Sequence, residues 1–151
     1  MEDFAVIEQK LRETYPDVNI TASKNKALYD AFYFSGTVAV QKGNKYVCTF
    51  QTEPFRSCCG MRQMYGFYVH DASAFGMVAD MFDMMSYVPM LYIQAGNPPH
   101  ENTLKFLEYY GATSLMKYRN AVHNSILNLW VIIPRPGRDY VADVTTEMER
   151  I

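Results

Sequence analysis

Residues 90–133, MLYIQAGNPPHENTLKFLEYYGATSLMKYRNAVHNSILNLWVII, are the stretch of sequence that decides the fold class. They open with the short apolar run Met90–Ala95, which is typical of a buried central strand. A turn with two adjacent prolines follows, and His100–Tyr110 then carries apolar residues at helical spacing, closed by a glycine. Two further strands are predicted at Leu115–Arg119 and Ile126–Ile133. The stretch therefore predicts the order strand, helix, strand, strand.

The sequence before residue 90 predicts the remainder of a sheet and two more helices. β-rich runs at Thr37–Gln41 and Lys45–Gln51 flank a short turn and predict a hairpin. Gln63–His70 is predicted as a third strand, and helices are predicted over 2–15 and from Ser73 to Tyr87. The order of these elements predicts an α/β (α+β) domain, with a mixed, mainly antiparallel central sheet and helices on both faces.

The chain of 151 residues has the length of one domain. We expect a single domain over residues 1–134 and a C-terminal tail over 135–151, which is too polar to form a core alone. No apolar run reaches the roughly 18–20 residues that a membrane helix needs. The N-terminus is acidic and lacks the basic start of a signal peptide, so secretion by that route is not expected.

Composition and charge narrow the function classes. The sequence is 49% hydrophobic with a net charge of -2, which excludes disorder and disfavours binding to nucleic acid. Cys58 and Cys59 are adjacent in a chain with three cysteines, a pattern typical of a reducing compartment. The histidines supply no ligands at metal-binding spacing, so no metal site is expected. The 12 tyrosines and 10 methionines fit either an adaptable core or a protein-binding surface.

One motif carries a resemblance to a known family. Asn97 follows the predicted central strand, and the next helix ends in Phe106–Ala112, which reads FLEYYGA. This pattern resembles the C-terminal half of the GNAT-type N-acetyltransferase fold, in which a strand ending in asparagine precedes a helix and two antiparallel strands. More narrowly, it is similar to the small internal virion protein family of podophages, which carries an acetyltransferase-like fold. The resemblance extends over about residues 36–133.

The resemblance implies where acetyl-CoA would bind if the protein is an enzyme. In that fold two neighbouring parallel strands splay apart to admit the pantetheine arm, and the pyrophosphate lies on backbone amides at the start of the next helix. The two strands would be Gln63–His70 and Met90–Ala95, and the helix would begin at Ser73. His70, at the end of its strand, is the candidate general base. The candidate cofactor-binding residues are Val69, Asp71, Ala74, Phe75, Gly76 and Asn97.

Two departures from the family pattern argue against acetyl transfer. Gly76 alone matches the family's phosphate loop, and Asp71 would place a carboxylate beside the phosphates, so we expect Asp71 to act as a helix N-cap instead. Leu107 occupies the position at which many family members carry a tyrosine as general acid, and leucine transfers no proton. We therefore expect no cofactor, and acetyl-CoA only under the enzyme hypothesis.

The favoured hypothesis is a bacteriophage assembly or virion-associated protein on an acetyltransferase-like scaffold without transferase activity. Its expected partners are phage structural proteins or host proteins, not nucleic acid or a membrane, and an oligomer stays open. The expected location is the host cytoplasm or the virion. Two alternatives stay open: an active acetyl-CoA-dependent N-acetyltransferase that modifies a protein amine, and a small regulator that binds a host enzyme.

Overall fold

A seven-stranded sheet organises the structure. The computed structural model describes residues 4–22, 36–54, 61–85, 89–95, 99–120 and 125–138. The strands are β1 (Val18–Ala22), β2 (Gly36–Lys42), β3 (Lys45–Pro54), β4 (Arg62–Val69), β5 (Met90–Ala95), β6 (Thr113–Asn120) and β7 (Ser125–Ile132). They lie in the order β1-β2-β3-β4-β5-β7-β6, and every neighbouring pair is antiparallel except β4 and β5. The predicted mixed, mainly antiparallel sheet is confirmed.

Three α-helices with defined bounds accompany the sheet in the described ranges, and residues 135–138 form a further helical turn after β7. The three helices are α1 (Phe4–Leu11), α2 (Phe75–Met85) and α3 (Glu101–Tyr110), and a 3-10 turn over Ala72–Ala74 leads into α2. The predicted glycine cap of α3 is confirmed: Gly111 has a φ of 82° and its N–H donates back into the last turn of the helix. None of the helices in these ranges is long and apolar enough to cross a membrane.

The hydrophobic core is built around the ring of Phe67 in β4. Its centroid lies 5.4 Å from that of Phe82 in α2, 5.7 Å from that of Phe106 in α3 and 6.2 Å from that of Phe50 in β3. All four side chains are almost fully buried. Because α2 and α3 both touch the ring of Phe67, they lie on the same face of the sheet.

Helix α1 joins α2 and α3 on that face. Its side chains Phe4, Ile7 and Leu11 belong to the same core, and the Tyr15 hydroxyl that follows it donates to Asp80 of α2 at 3.0 Å. A helix on the second face, which the sequence also predicted, is not among the described residues. The chain crosses from β4 to β5 through α2 and from β5 to β6 through α3, so both crossovers run in the same direction along the sheet. Because such crossovers are right-handed, both helices lie on the same face.

The chain after β7 is held against the ends of α2 and α3. Arg135 donates to Asp83 at 2.9 Å and to Asp80 at 3.1 Å, and Arg138 donates to the carbonyl of Tyr110. Both guanidinium groups also lie near the Tyr110 ring, at 5.6 and 5.0 Å from its centroid. The first turn of the predicted polar tail therefore packs on this domain, and its residues from 139 onward lie outside the described ranges.

A bulge in β4 separates it from β5. The register between β3 and β4 shifts by one residue between Thr49 and Gln51, and Gly66 lies opposite this shift with a φ of 60°. Pairing of β4 with β5 ends at Tyr65, directly before the glycine. Beyond that point β5 pairs with β7 alone, so the two parallel strands diverge where the resemblance implied a splay.

We predict that Gly66→Ala destabilises the protein by about 1–2 kcal/mol, because alanine at a positive φ brings its Cβ too close to the backbone. Beyond the adjoining residues, the added Cβ would meet no atom closer than 3.7 Å, so contacts with the rest of the protein add nothing to this cost. Gly76→Ala is the matched control: it lies in α2 with 3.6 Å to the nearest atom and should stabilise the protein by up to about 1 kcal/mol. Urea unfolding of both variants tests the contrast, and equal effects would contradict it.

Candidate functional site

The candidate site is the gap between β4 and β5 beyond the bulge. The His70 N–H donates to the Val47 carbonyl of β3 at 2.7 Å, and main-chain groups alternate in direction along a strand. The Phe67 carbonyl and the Val69 N–H therefore point away from β3, into the gap. These are the main-chain groups that a ligand lying between the strands would meet first.

Two buried side chains already satisfy these main-chain groups. The Tyr92 hydroxyl of β5 donates to the Phe67 carbonyl at 3.2 Å, and the Val69 N–H donates to Oγ1 of Thr103 in α3 at 3.1 Å. Tyr92 is 3% exposed and Thr103 is fully buried. Burial raises the pKa of Tyr92, so its hydroxyl stays protonated and remains a donor. The gap is thus closed from within by the domain's own side chains.

The described residues of the gap enclose a cavity of about 30 Å³. Gly66, Tyr68, Tyr92, Gln94 and His100 line it. A cavity of this size holds one or two water molecules, whereas pockets for small ligands measure about 300–1,000 Å³. The cavity between the described residues is therefore too small for a pantetheine arm.

Gln94 places an unused hydrogen-bond donor at this cavity. Its Oε1 accepts from the Trp130 indole at 3.0 Å, which fixes the orientation of the amide. Its Nε2 is buried and has no hydrogen-bond partner in the described part of the chain. A water molecule or a carbonyl oxygen in the cavity would satisfy this group.

The helix start beside the gap is capped by its own side chains. Asp71 accepts from the Ser73 N–H at 2.9 Å and from the Ser73 hydroxyl at 2.6 Å, and these hydrogen bonds are the main cause of a lowered pKa of the Asp71 carboxyl. The expected N-cap is confirmed. A carboxylate therefore stands where a bound pyrophosphate would need positive potential.

The other cofactor-binding candidates have packing roles or lie elsewhere. Ala74 is buried, and the Phe75 ring packs on Phe106 at 5.6 Å between centroids. Gly76 is an ordinary helical residue without a positive φ. Asn97 lies outside the described residues, and Val69 contributes the N–H already bonded to Thr103.

His70 lies at the end of β4 and is exposed. Its Nε2 lies 3.2 Å from Thr49 Oγ1, and its ring centroid lies 6.3 Å from that of His100. Partial burial, followed by the charge of His100, lowers the pKa of His70 below its ordinary value. The lowered pKa favours the neutral imidazole that a general base requires, but His70 stands at the rim of a gap that is closed.

The general-acid position of the resemblance is apolar. Leu107 is fully buried in the core. Tyr110 is also buried, and its hydroxyl donates to Asp83 at 2.5 Å, while burial raises its pKa. Tyr109 is exposed and its ring packs on Phe75. Neither tyrosine replaces the missing acid at the gap.

Three residues of the gap were not singled out from the sequence: Tyr92, Gln94 and Thr103. All three are polar residues at positions that periodicity assigns to the core, and buried polar groups require partners. The sequence therefore indicates that these side chains have hydrogen-bond partners, but it does not indicate which groups the partners are.

The sheet order and the single parallel pair agree with the acetyltransferase-like fold that the resemblance implied. No protein-family model matches the sequence, and no curated protein is significantly similar to it. Among solved structures, a protein assigned to the GNAT family of acetyltransferases, from Desulfovibrio desulfuricans, is similar in fold. The identity is 12% with a TM-score of 0.48, over 65% of this chain and 68% of that chain. A likeness at this level carries no conclusion about activity. The described residues contain no cluster of three potential metal ligands.

We predict that Asp71→Ala lowers the free energy of unfolding by about 1 kcal/mol at neutral pH, because the N-cap is lost. The lowered pKa of Asp71 makes its contribution full above the ordinary pKa of 3.8, and the contribution is lost as the pH falls through the folded-state value. The difference between wild type and variant should therefore shrink below about pH 3.8. Asp71→Asn, which keeps a cap acceptor, should stay close to wild type at pH 7. A difference that is unchanged down to pH 2 would contradict the assignment.

We predict that Thr103→Val destabilises the protein by about 1–3 kcal/mol, because the buried Val69 N–H loses its acceptor while the side-chain volume is kept. Thr103→Ser keeps the hydroxyl and is the matched control, with the smaller cost of one methyl group. Chemical denaturation gives the two free energies. A valine variant at least as stable as the serine variant would show that the hydroxyl does not satisfy the main chain.

Proposed function

We propose that this protein is a binding or assembly protein on an acetyltransferase-like scaffold, and that it does not transfer acetyl groups. The observation that carries the proposal is the closed gap: Tyr92 and Thr103 already bond the main-chain groups of β4 that a pantetheine arm would need. Displacing them would leave buried polar groups without partners, at about 1–3 kcal/mol each.

The electrostatics and the proton chemistry of the site support the same proposal. The Asp71 carboxylate at the start of the helix repels phosphates by ~3 kcal/mol per unit charge at about 5 Å and an effective dielectric of about 20. Leu107 supplies no proton for a departing thiolate. Among the described residues we therefore identify no open cleft, phosphate cradle or general acid at the gap.

The finer part of the proposal is an assembly or virion-associated role in a bacteriophage, with protein partners in the host cytoplasm or the virion. It rests on the resemblance of the Phe106–Ala112 motif to the small internal virion proteins of podophages. The abundance of tyrosine and methionine, residue types that adaptable protein surfaces favour, agrees with partners that are proteins.

One observation favours the alternative of an active acetyl-CoA-dependent N-acetyltransferase. The Gln94 Nε2 donor at the cavity has no partner within the described ranges, and the carbonyl oxygen of an acetyl thioester would satisfy it. His70, whose lowered pKa favours the neutral form, would then take the proton from the acceptor amine. This alternative requires α3 to move away from β4, because the gap must widen to admit the cofactor.

We predict that isothermal titration of acetyl-CoA into the protein gives no saturable heat at tens of micromolar, and that thermal unfolding shows no shift of Tm with either acetyl-CoA or coenzyme A. Gln94→Met is the control, because methionine has a similar side-chain volume but lacks the Nε2 donor. Binding of one acetyl-CoA per chain would overturn the proposal, and loss of that binding in Gln94→Met would favour the enzyme alternative.

A further inference from the structure

The two edge strands of the sheet, β1 and β6, differ in whether described side chains bond their outer main-chain groups. At the β1 edge, side chains of α1 and of the turn after it form hydrogen bonds with the main chain of the strand. Glu8 accepts from the Ile20 N–H at 2.7 Å, and Arg12 donates to the Val18 carbonyl at 2.9 Å. β6 pairs with β7 on one side, and no described strand pairs with its other side. An unpaired strand edge is a template for another strand, and β6 presents such an edge within the described ranges.

The hairpin of β6 and β7 exposes several large apolar side chains. Leu115 and Met116 are each 55% exposed, Ile126 is 44% exposed and Tyr118 is 37% exposed. Met116 and Tyr118 alternate along β6 and therefore lie on one face of the strand. Apolar side chains gathered along a free edge indicate a surface that binds another protein.

The other face of β6 is cationic. Lys117 and Arg119 alternate with the apolar side chains, and neither forms an ion pair with a carboxylate of the described residues. The chain carries no aspartate or glutamate from Gly111 to Arg138, although its net charge is -2. An open groove of about 310 Å³ is lined by Lys117, Tyr118, Arg119 and Ile126. The edge is thus a positive site on a weakly acidic protein.

We propose that the free edge of β6 binds an extended acidic segment of a protein partner, which adds to the sheet as an eighth strand. Main-chain hydrogen bonds along the edge supply the affinity. Acidic side chains of the partner pair with Lys117 and Arg119 on one face, and apolar side chains pack on Met116 and Tyr118 on the other. The inference deepens the proposed binding function, on which it rests, by naming the surface and the chemistry of the partner.

Charge argues for a different protein rather than a second copy of this chain. In an antiparallel pair of two β6 edges, Lys117 and Arg119 of the two copies would approach one another, and like charges on neighbouring strands are destabilising. A strand that alternates acidic and apolar residues avoids this repulsion and matches both faces of β6.

The probe is an acetylated and amidated octapeptide in which glutamate and valine alternate. We expect saturable binding to the full chain by isothermal titration at peptide concentrations up to about 1 mM, a range that detects weak strand addition. In a ¹⁵N-labelled sample the largest amide shifts should fall in β6. The same peptide with alternate amides N-methylated keeps its charge but cannot pair along an edge, and it should not bind.

Charge reversal on the protein gives the matched variants. Lys117→Glu with Arg119→Glu should weaken peptide binding at least about tenfold, which equals 1.4 kcal/mol. Lys42→Glu with Lys45→Glu makes the same change at the β2–β3 turn, and it should leave binding within about twofold. Circular dichroism and thermal unfolding check that both double variants are folded.

Several results would overturn the proposal: no binding to the wild type, equal binding of the N-methylated peptide, or equal binding by the Lys117→Glu/Arg119→Glu protein. A wild-type dimer by light scattering whose contact is β6 would assign the edge to a second copy and also overturn it. The acetyl-CoA titration separates this test from the proposed function. Peptide failure without acetyl-CoA binding removes only the β6 site, whereas acetyl-CoA binding removes the proposed function whatever the peptide does.

Discussion

The main chain of β4 beyond Gly66 is the constraint on which the rest of the structure depends. Once β4 leaves β5, the Phe67 carbonyl and the Val69 N–H face a buried gap, and buried peptide groups without partners are strongly disfavoured. Tyr92 and Thr103 supply those partners from the neighbouring strand and the following helix. The position of α3 is therefore set by hydrogen bonds to β4 as well as by ring packing on Phe67.

The side chains of Tyr92 and Thr103 and a ligand in the gap would compete for the same two main-chain groups. An enzyme that binds an extended cofactor between β4 and β5 needs those groups free in the resting state, which water satisfies at little cost. Buried side chains bond these groups in the resting state and exclude solvent from the gap, so the groups are not available to a ligand. The same fold can thus be tuned towards a cleft or towards a closed scaffold by a few side chains, which is why fold alone does not identify function.

Local features of the fold could be predicted from the sequence, whereas the closed gap could not. Met90–Ala95 was predicted with the bounds that β5 has, because a short apolar run between turn residues leaves few alternatives. Capping by Asp71 and Gly111 follows equally from nearby residues. The bond between Val69 and Thr103 joins residues 34 positions apart, and no spacing rule relates them. A glycine inside a predicted strand was the one local sign of the bulge.

The free β6 edge follows from the same arrangement. Crossovers that place α2 and α3 on one face carry the chain across the sheet to β6, and β7 then returns between β5 and β6 instead of covering the outer side. No described helix packs along β6 in the way that Glu8 and Arg12 protect β1. Among the described residues, the charges of Lys117 and Arg119 are what protects that edge, because they repel a second copy. The same two positive charges attract a strand that carries acidic side chains. The charges that limit self-association of β6 therefore also favour an acidic partner.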